Sequence, residues 1–307
     1  MGELSGGASR PAPDPQTRSG FIALAGRPNV GKSTLANAII GAKVAIVSDK
    51  PQTTRRAIRG VATGPGWQLV LVDLPGVQRP RDRLTERMQR RVERELEEAD
   101  GCLFVVNAAE GIGPGDRFIA SLLAAAAVPV AVVVNKIDRA DRARTAQALA
   151  ASEELGVADE IFPVSARTGA GISLLTEHLL SLLPAGPFYF EPQQRTDQRE
   201  EVRLAELVRE QVLGRTREEI PHAVEVQIES IEADRSMTRI AGVLLVETES
   251  QKGILIGAQG RMIKSIGVAA RRAIESELRT RVHLELRVQV RPHWRADERV
   301  LDRLGIE

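Results

Sequence analysis

Between residues 21 and 183 the chain alternates short apolar runs with stretches whose apolar residues recur at helical spacing. The runs cover 21–25, 68–72, 103–107 and 130–134, each ending where a loop or helix should begin. Segments 84–98 and 172–183 carry the periodicity of amphipathic helices. Such alternation predicts an α/β layer with a mixed, mostly parallel sheet, in which ligands bind beyond the carboxyl ends of the strands. The character changes after Pro184-Ala185-Gly186-Pro187, which breaks the last helix and leads into a polar stretch. Beyond it the pattern predicts a helix over about 200–213 and strands over about 222–231 and 238–248. A glycine-broken helical segment over about 252–278 and a strand over about 282–290 complete an α+β unit. The expected divisions are a flexible tail (1–19), a first domain (20–185), a linker (186–199) and a second domain (200–307).

Composition changes this picture little. With 43% hydrophobic and 27% charged residues, the 307 residues make ordinary globular domains and not a disordered chain. A net charge of +1 gives no global sign of a polyanionic partner, so any such sign must be local. The single cysteine, Cys102, excludes an intramolecular disulfide and fits a reducing compartment. In the apolar run 102–106 it reads as a core residue. Residues 1–19 are rich in Gly, Pro and Ser and lack the apolar stretch of a signal peptide. The longest nearly uncharged segment, 118–134, is short for a membrane span and contains Pro129, so a helix end followed by a buried strand is expected. The expected location is the cytoplasm.

Candidate chemistry falls at the strand ends. Gly26-Arg27-Pro28-Asn29-Val30-Gly31-Lys32-Ser33, followed by Thr34, matches the G-x-x-x-x-G-K-S/T pattern between a strand and a helix. Its glycines let successive N–H groups converge on phosphates at a helix amino end. Lys32 is placed to reach the β- and γ-phosphates, and the Ser33 hydroxyl to bind Mg²⁺. Asp73-Leu74-Pro75-Gly76 closes the 68–72 strand; Asp73 can hold the magnesium and the Gly76 N–H can meet the γ-phosphate. Asn135-Lys136-Ile137-Asp138 closes the 130–134 strand. A carboxylate there can accept two hydrogen bonds from the N1 and N2 edge of guanine, which adenine cannot supply. Ser165-Ala166, with Arg167 behind them, follow Phe162-Pro163-Val164 and offer backbone N–H groups to the guanine oxygen. Together the four motifs select GTP and exclude an ATPase.

Residues 21–183 resemble a translation-factor-class small GTPase domain with a P-loop. The run from Gly26 to Thr34, with Gln52-Thr53-Thr54-Arg55, resembles in particular the Era family of bacterial GTPases. The resemblance implies that 51–56 lie in the first switch loop, with Thr54 or Thr53 closing on Mg²⁺ when GTP is bound. The second switch would run from Asp73 to about Arg87. The catalytic residues so implied are Lys32, Thr54 and Gly76. Where many GTPases place a water-orienting glutamine after Asp-x-x-Gly, this chain has Val77, and Gln78 stands one residue off. Slow intrinsic turnover is therefore expected. In related GTPases that lack the glutamine, the asparagine matching Asn29 helps bind K⁺, so K⁺ near the phosphates is the expected substitute charge.

In the second domain, Ile254-Leu255-Ile256-Gly257-Ala258-Gln259-Gly260-Arg261-Met262-Ile263-Lys264 sets a Gly-x-x-Gly between apolar helical runs. The order of helix, two strands, broken helix and strand resembles a type II KH domain. That resemblance implies that the segment from Ile256 to Arg261 clamps about four nucleotides of single-stranded RNA, because missing side chains let phosphates approach helix-end N–H groups. From Lys252 to Arg295 ten basic residues stand against three acidic ones, a net +7, whereas the stretch from Glu191 to Glu307 nets −1. Positive charge is thus concentrated around the glycine loop and the last strand. Lys264, Arg291 and Trp294 are further RNA-binding candidates, Trp294 either stacking on a base or packing against its own domain. Phe188, Tyr189 and Phe190 are expected to pack between the domains, and the four histidines show no metal-ligand spacing. The Era resemblance implies a GTP-gated monomer that binds the 3′ end of small-subunit ribosomal RNA during assembly of the small ribosomal subunit. The rival reading gives the second domain a protein partner, or a peripheral contact with the inner face of the cell membrane, although no amphipathic anchor helix is evident.

Overall fold

The computed structural model describes residues 17–50, 52–77, 80, 82–126, 128–234 and 236–306. Its first part runs β1 (Arg18–Ala25), α1 (Lys32–Ile40), β2 (Ile58–Gly64), β3 (Trp67–Asp73), α2 (Arg83–Glu98), β4 (Gly101–Asn107) and α3 (Pro114–Ala126). It continues through β5 (Val130–Asn135), α4 (Arg142–Glu153), β6 (Glu160–Pro163) and α5 (Ile172–Leu182). The strands form one sheet in the order β2-β3-β1-β4-β5-β6, in which only the β2–β3 pair is antiparallel. Strand β4 explains why these runs read as continuously apolar. Leu103 and Val105 enter the core on one face, and Cys102, Phe104 and Val106 the core on the other. Burial pushes the Cys102 thiol up to about 12, so it stays protonated and inert.

The second part runs α6 (Glu200–Leu213), α7 (Ile220–Ala223), β7 (Glu225–Ala233), β8 (Thr238–Val246), α8 (Glu249–Ile256), α9 (Arg261–Leu278), β9 (Val282–Val290) and α10 (Glu298–Leu304). Strand β8 is central, antiparallel to β7 and parallel to β9. On one face of this sheet Leu204 and Val208 of α6 and Ile266, Ala270 and Ile274 of α9 meet Ile240 and Leu244. The other face of β8 sends Val243 and Leu245 into a separate cluster with Leu84 and Met88 of α2 and with Trp294, Val300, Leu301 and Leu304. The C-terminal segment is therefore an apolar wedge between helix α2 and the sheet of the second domain.

Two of the expected divisions look different in the structure. Arg18 and Ser19, assigned to the tail, open β1, because Ser19 N–H donates to the Pro184 carbonyl and its hydroxyl to that of Pro187. The remainder of the expected tail, 1–16, lies outside the described residues. Segment 186–199 is no loose linker. The Gln68 amide oxygen accepts from the N–H groups of Tyr189 and Phe190, Val61 N–H donates to the Arg195 carbonyl, and Thr196 bridges to Gly60. Tyr189 packs on Phe21 with ring centroids 4.7 Å apart, so this aromatic lies on the G domain itself and not between domains. Among the described residues no helix is long and apolar enough to cross a membrane; α3 and β5 occupy most of segment 118–134.

Candidate functional site

The phosphate loop joins β1 to α1 at the carboxyl edge of the sheet. Two of its glycines are dictated by close approach. A Cβ on Gly26 (φ 153°) would lie 2.5 Å from the Val105 carbonyl oxygen, and one on Gly31 (φ 100°) would lie 2.5 Å from the Asn135 amide nitrogen. The loop borders a cavity of about 480 Å³ lined by Pro28, Asn29, Gly31, Lys32, Ser33, Thr34, the first switch segment, Gly76 and the guanine-side loops. The Lys32 ammonium is curled over the loop, donating to the carbonyls of Gly26 (2.9 Å) and Arg27 (3.0 Å). Burial lowers its pKa to about 8, with the Asp73 charge opposing.

Not every motif residue presents its side chain to the cavity. Arg27 points away, with Nε 2.8 Å from the buried Asp116 carboxylate and Nη2 3.3 Å from Glu110, so it braces the loop against α3. Val30 and Leu74 are buried in the hydrophobic cores, so the expectation that they contact nucleotide is corrected to their backbone alone. Pro75 is not among the residues lining the cavity. Gly76 is required by packing, since a Cβ there would come within 2.8 Å of Pro28. Val77 is 4% exposed and faces the core, so it has no part in orienting water. Gln78 lies outside the described residues.

Three oxygens converge beneath the loop. Ser33 Oγ donates to Asp73 Oδ2 at 2.6 Å and lies 3.0 Å from Thr54 Oγ1, which is itself 3.3 Å from the same carboxylate oxygen. Asp73 Oδ1 is buried and finds no hydrogen-bond partner among the described residues. Burial raises the pKa of Asp73, with Lys32 and the two hydroxyls pulling it back. An orphaned buried carboxylate oxygen beside two hydroxyls suits a hard divalent cation. Of the two threonines, Thr54 faces Ser33 and Asp73, whereas the Thr53 hydroxyl donates to the Lys50 carbonyl at 2.7 Å. Asn29 also reaches the segment just before the first switch, its Nδ2 donating to the Asp49 carbonyl at 2.7 Å.

On the guanine side the predicted residues divide their labour. Asn135 is 1% exposed; Nδ2 donates to the Val30 carbonyl (2.9 Å) and Oδ1 accepts from Ala166 N–H (3.1 Å), so it ties the two loops together. Lys136 donates to the Asn29 carbonyl. Asp138 accepts from Ser165 Oγ at 2.6 Å and from Arg167 at 2.9 Å (Nε) and 2.7 Å (Nη2). The Ser165 bond is the main cause that keeps this carboxyl below its usual range. Both Arg167 nitrogens reach the same oxygen, Oδ2, while Oδ1 accepts from Ser165.

The second domain presents its glycine loop at the amino end of α9. Gly257 (φ 69°, ψ 171°) has backbone angles that L side chains avoid, Gln259 and Gly260 are left-handed, and α9 begins at once with Arg261. Ala258 and Gln259 are exposed and Ile256 is half-buried. Arg261 and Lys264 join Arg215 and Arg272 along a groove of about 410 Å³. Arg291 is not part of it; it stands at the end of β9, paired with Asp297 at 2.9 Å. The stacking role considered for Trp294 is corrected. Its ring is fully buried and its indole N–H donates to the Ala223 carbonyl at 2.8 Å, so no base can reach it.

A cluster that sequence reasoning missed lies between the domains. Arg55 and Arg56 of the first switch enter a buried group with Glu206, Arg209 and Glu225 of the KH side. In sequence, Thr-Thr-Arg-Arg in a polar loop carries no sign of burial.

Comparison with known proteins agrees with this geometry. A family model described as a 50S ribosome-binding GTPase matches residues 21–136, and a KH domain model matches residues 219–295. The GTPase Era of Nostoc sp. is 43% identical over 99% of this chain and 94% of its own length. This chain belongs to the Era family of GTPases. The GTPase Era of Mycobacterium tuberculosis is 45% identical, over 94% of this chain and 98% of the relative. A crystal structure of Era in complex with MgGDPNP and nucleotides 1506–1542 of 16S ribosomal RNA superposes with a TM-score of 0.90 at 36% identity, covering 94% of this chain and 99% of that one. A point variant of Aquifex aeolicus Era bound to GDP and AlF4⁻ gives the same score, identity and coverage. The protein is accordingly a GTP-binding, GTP-hydrolysing Era-family protein with a C-terminal KH domain.

Proposed function

We propose that this GTPase binds the 3′ end of small-subunit ribosomal RNA through its KH domain, as a monomeric cytoplasmic factor in assembly of the small ribosomal subunit. The observation that carries this is the Gly257–Gly260 loop, held in glycine conformations at the amino end of α9 beside a basic groove. A relative of the same two-domain architecture bound to 16S ribosomal RNA supports the choice of RNA. A fluorescent oligonucleotide carrying that 3′ end should bind more tightly than a scrambled strand of equal length; equal affinity would contradict the assignment.

In the nucleotide site we assign the phosphates to the N–H groups of residues 26–34 and to Lys32, which leaves the loop carbonyls when phosphate is present. Ser33, Thr54 and Asp73 would hold Mg²⁺, which would supply positive charge to offset the negative charge that develops on the phosphates. Ser165 positions Asp138, and the guanine edge displaces Arg167 from it. Asn29 and Asp49 line one edge of the phosphate cavity, where the Asn29 Nδ2 donates to the Asp49 carbonyl; turning that amide over would present its oxygen beside the carbonyl and suit K⁺. GTP turnover is therefore expected to fall by about tenfold or more when K⁺ is replaced by Na⁺, a barrier change of about 1.4 kcal/mol. Equal rates in the two salts would remove the cation from the account.

A further inference from the structure

Hydrolysis of GTP needs a group that orients the attacking water. Val77 stands where many GTPases carry a glutamine for this purpose, and its side chain is turned into the core. Most polar side chains around the phosphate cavity already have partners. Asn29 and Lys32 donate to backbone carbonyls, and Ser33 and Thr54 are taken up by each other and by Asp73. Among the described residues that line the cavity, three polar side chains have no hydrogen-bond or ion-pair partner: Thr34, Gln52 and Arg139. Thr34 belongs to α1, and Arg139 follows Asp138 on the guanine side. Gln52 is left on the side of the first switch, two residues before Thr54.

The backbone at Gln52 sharpens the point. Its φ is 59°, in the left-handed region that glycine and asparagine fill more readily, so a glutamine kept there marks a side chain with a task. The conformation is held from both sides. The Thr53 hydroxyl donates to the Lys50 carbonyl at 2.7 Å, closing the turn across Gln52, and Arg209 donates to the carbonyls of Gln52 (3.5 Å) and Thr53. Gln52 is half-buried, and the cavity it lines also has Thr53, Thr54 and Gly76 on its wall. A carboxamide offers both functions that an attacking water requires. Its oxygen accepts a hydrogen bond from the water, and its nitrogen donates to a γ-phosphate oxygen. Asparagine would suit the backbone better, but its amide reaches one methylene less far.

We propose that Gln52, from the first switch, is the water-orienting residue of this GTPase, in the role that Val77 cannot fill from the second. The water held by its amide forms a bond to the γ-phosphorus. The bond from that phosphorus to the β–γ bridging oxygen breaks, its electron pair leaves on GDP, and the protons of the water pass to the phosphate product and to solvent. The inference rests on the placement of the phosphates assigned above. It also accounts for slow turnover, since a single amide on a loop positions the water without a charged partner.

The test uses two variants of the full-length protein, Gln52→Gly and Gln52→Met. Glycine relieves the left-handed backbone and removes the amide, whereas methionine keeps the length of the side chain without a comparable donor or acceptor. Single-turnover GTP hydrolysis is measured in both, beside the affinities for GDP, for a non-hydrolysable GTP analogue, and for AlF4⁻ in the presence of GDP. The rate at saturating GTP should fall by about 30-fold or more in each variant, with GDP and the GTP analogue bound within about threefold of wild type. Affinity for AlF4⁻, which mimics the γ-phosphoryl group in transfer, should fall by a factor comparable to that in the rate. A wild-type rate in Gln52→Gly would mean that the residue only shapes the turn, and overturns the inference. A loss of rate matched by equally weak binding of the GTP analogue would mean that Gln52 supports the loop, and overturns it as well. Wild-type protein that binds no guanine nucleotide would overturn the assignment of the site itself, and the role of Gln52 with it.

Discussion

Replacing Asp138 by Asn should turn a GTP-specific site into one that prefers xanthosine triphosphate. The carboxylate offers two acceptors, and its low pKa, set first by the Ser165 hydrogen bond, keeps it ionised at neutral pH. Guanine answers with two donors, N1–H and the N2 amino group. An asparagine amide offers one acceptor and one donor, which matches xanthine, whose 2-position carries an oxygen in place of the amino group. The mismatched base leaves polar groups unpaired in a partly closed site, and such mismatches discriminate by about 10⁴-fold. GTP affinity should fall by about 10²-fold or more, and xanthosine triphosphate should become the tighter ligand, for a combined shift on the order of 10⁴. Competition against a fluorescent nucleotide reads both affinities. A variant that weakens both nucleotides equally would mean that Asp138 serves only to hold the Ser165–Arg167 loop.

The second large effect is expected at Gly260. A Cβ there meets nothing within 4 Å, unlike Gly257, where it would meet Met262 at 2.8 Å. Gly260→Asp therefore adds a carboxylate without a clash. The left-handed backbone (φ 75°) costs about 1 kcal/mol, and Asp tolerates it better than most residues. Placed at the amino end of α9, the carboxylate occupies the position proposed for an RNA phosphate. Like-charge contact at an interface costs several kcal/mol, so RNA affinity should fall by about 30-fold or more. GTP turnover without RNA should be unchanged, since the loop makes no contact with the G domain among the interactions described. RNA affinity equal to that of wild type would direct attention to a protein or membrane partner.

The nucleotide site was legible because its chemistry is local. Each of the four motifs stands at the end of an apolar run, and β1, β3, β5 and β6 bring those ends to one edge of the sheet. The sequence also carried α6 and β9 at their observed bounds, since their apolar spacing is uninterrupted. Strand β2 was hidden because Gly60 and Gly64 break its pattern, and it is held by antiparallel pairing with β3. Helix α10 was unread for a different reason. Seven residues cannot hold a helix by propensity alone, and Val300, Leu301 and Leu304 gain their order from Leu84 and Met88 of α2. The interdomain charges were the least accessible. Arg55 and Glu225 are 170 positions apart, and a paired arginine in a polar loop looks like any solvated one until its partner is known. Trp294 failed in the same way: a tryptophan near a basic strand suits stacking or burial equally, and the Ala223 carbonyl decides for burial.

That the two domains form one RNA-sensing GTP switch is tested most directly by GTP turnover in K⁺ buffer, with and without an oligonucleotide carrying the 3′ end of small-subunit ribosomal RNA. The account predicts a turnover rate that changes severalfold on adding the RNA, with the change abolished in Gly260→Asp. A rate indifferent to the RNA, together with no RNA binding, would contradict it, leaving the GTPase assignment in place and giving the second domain another partner.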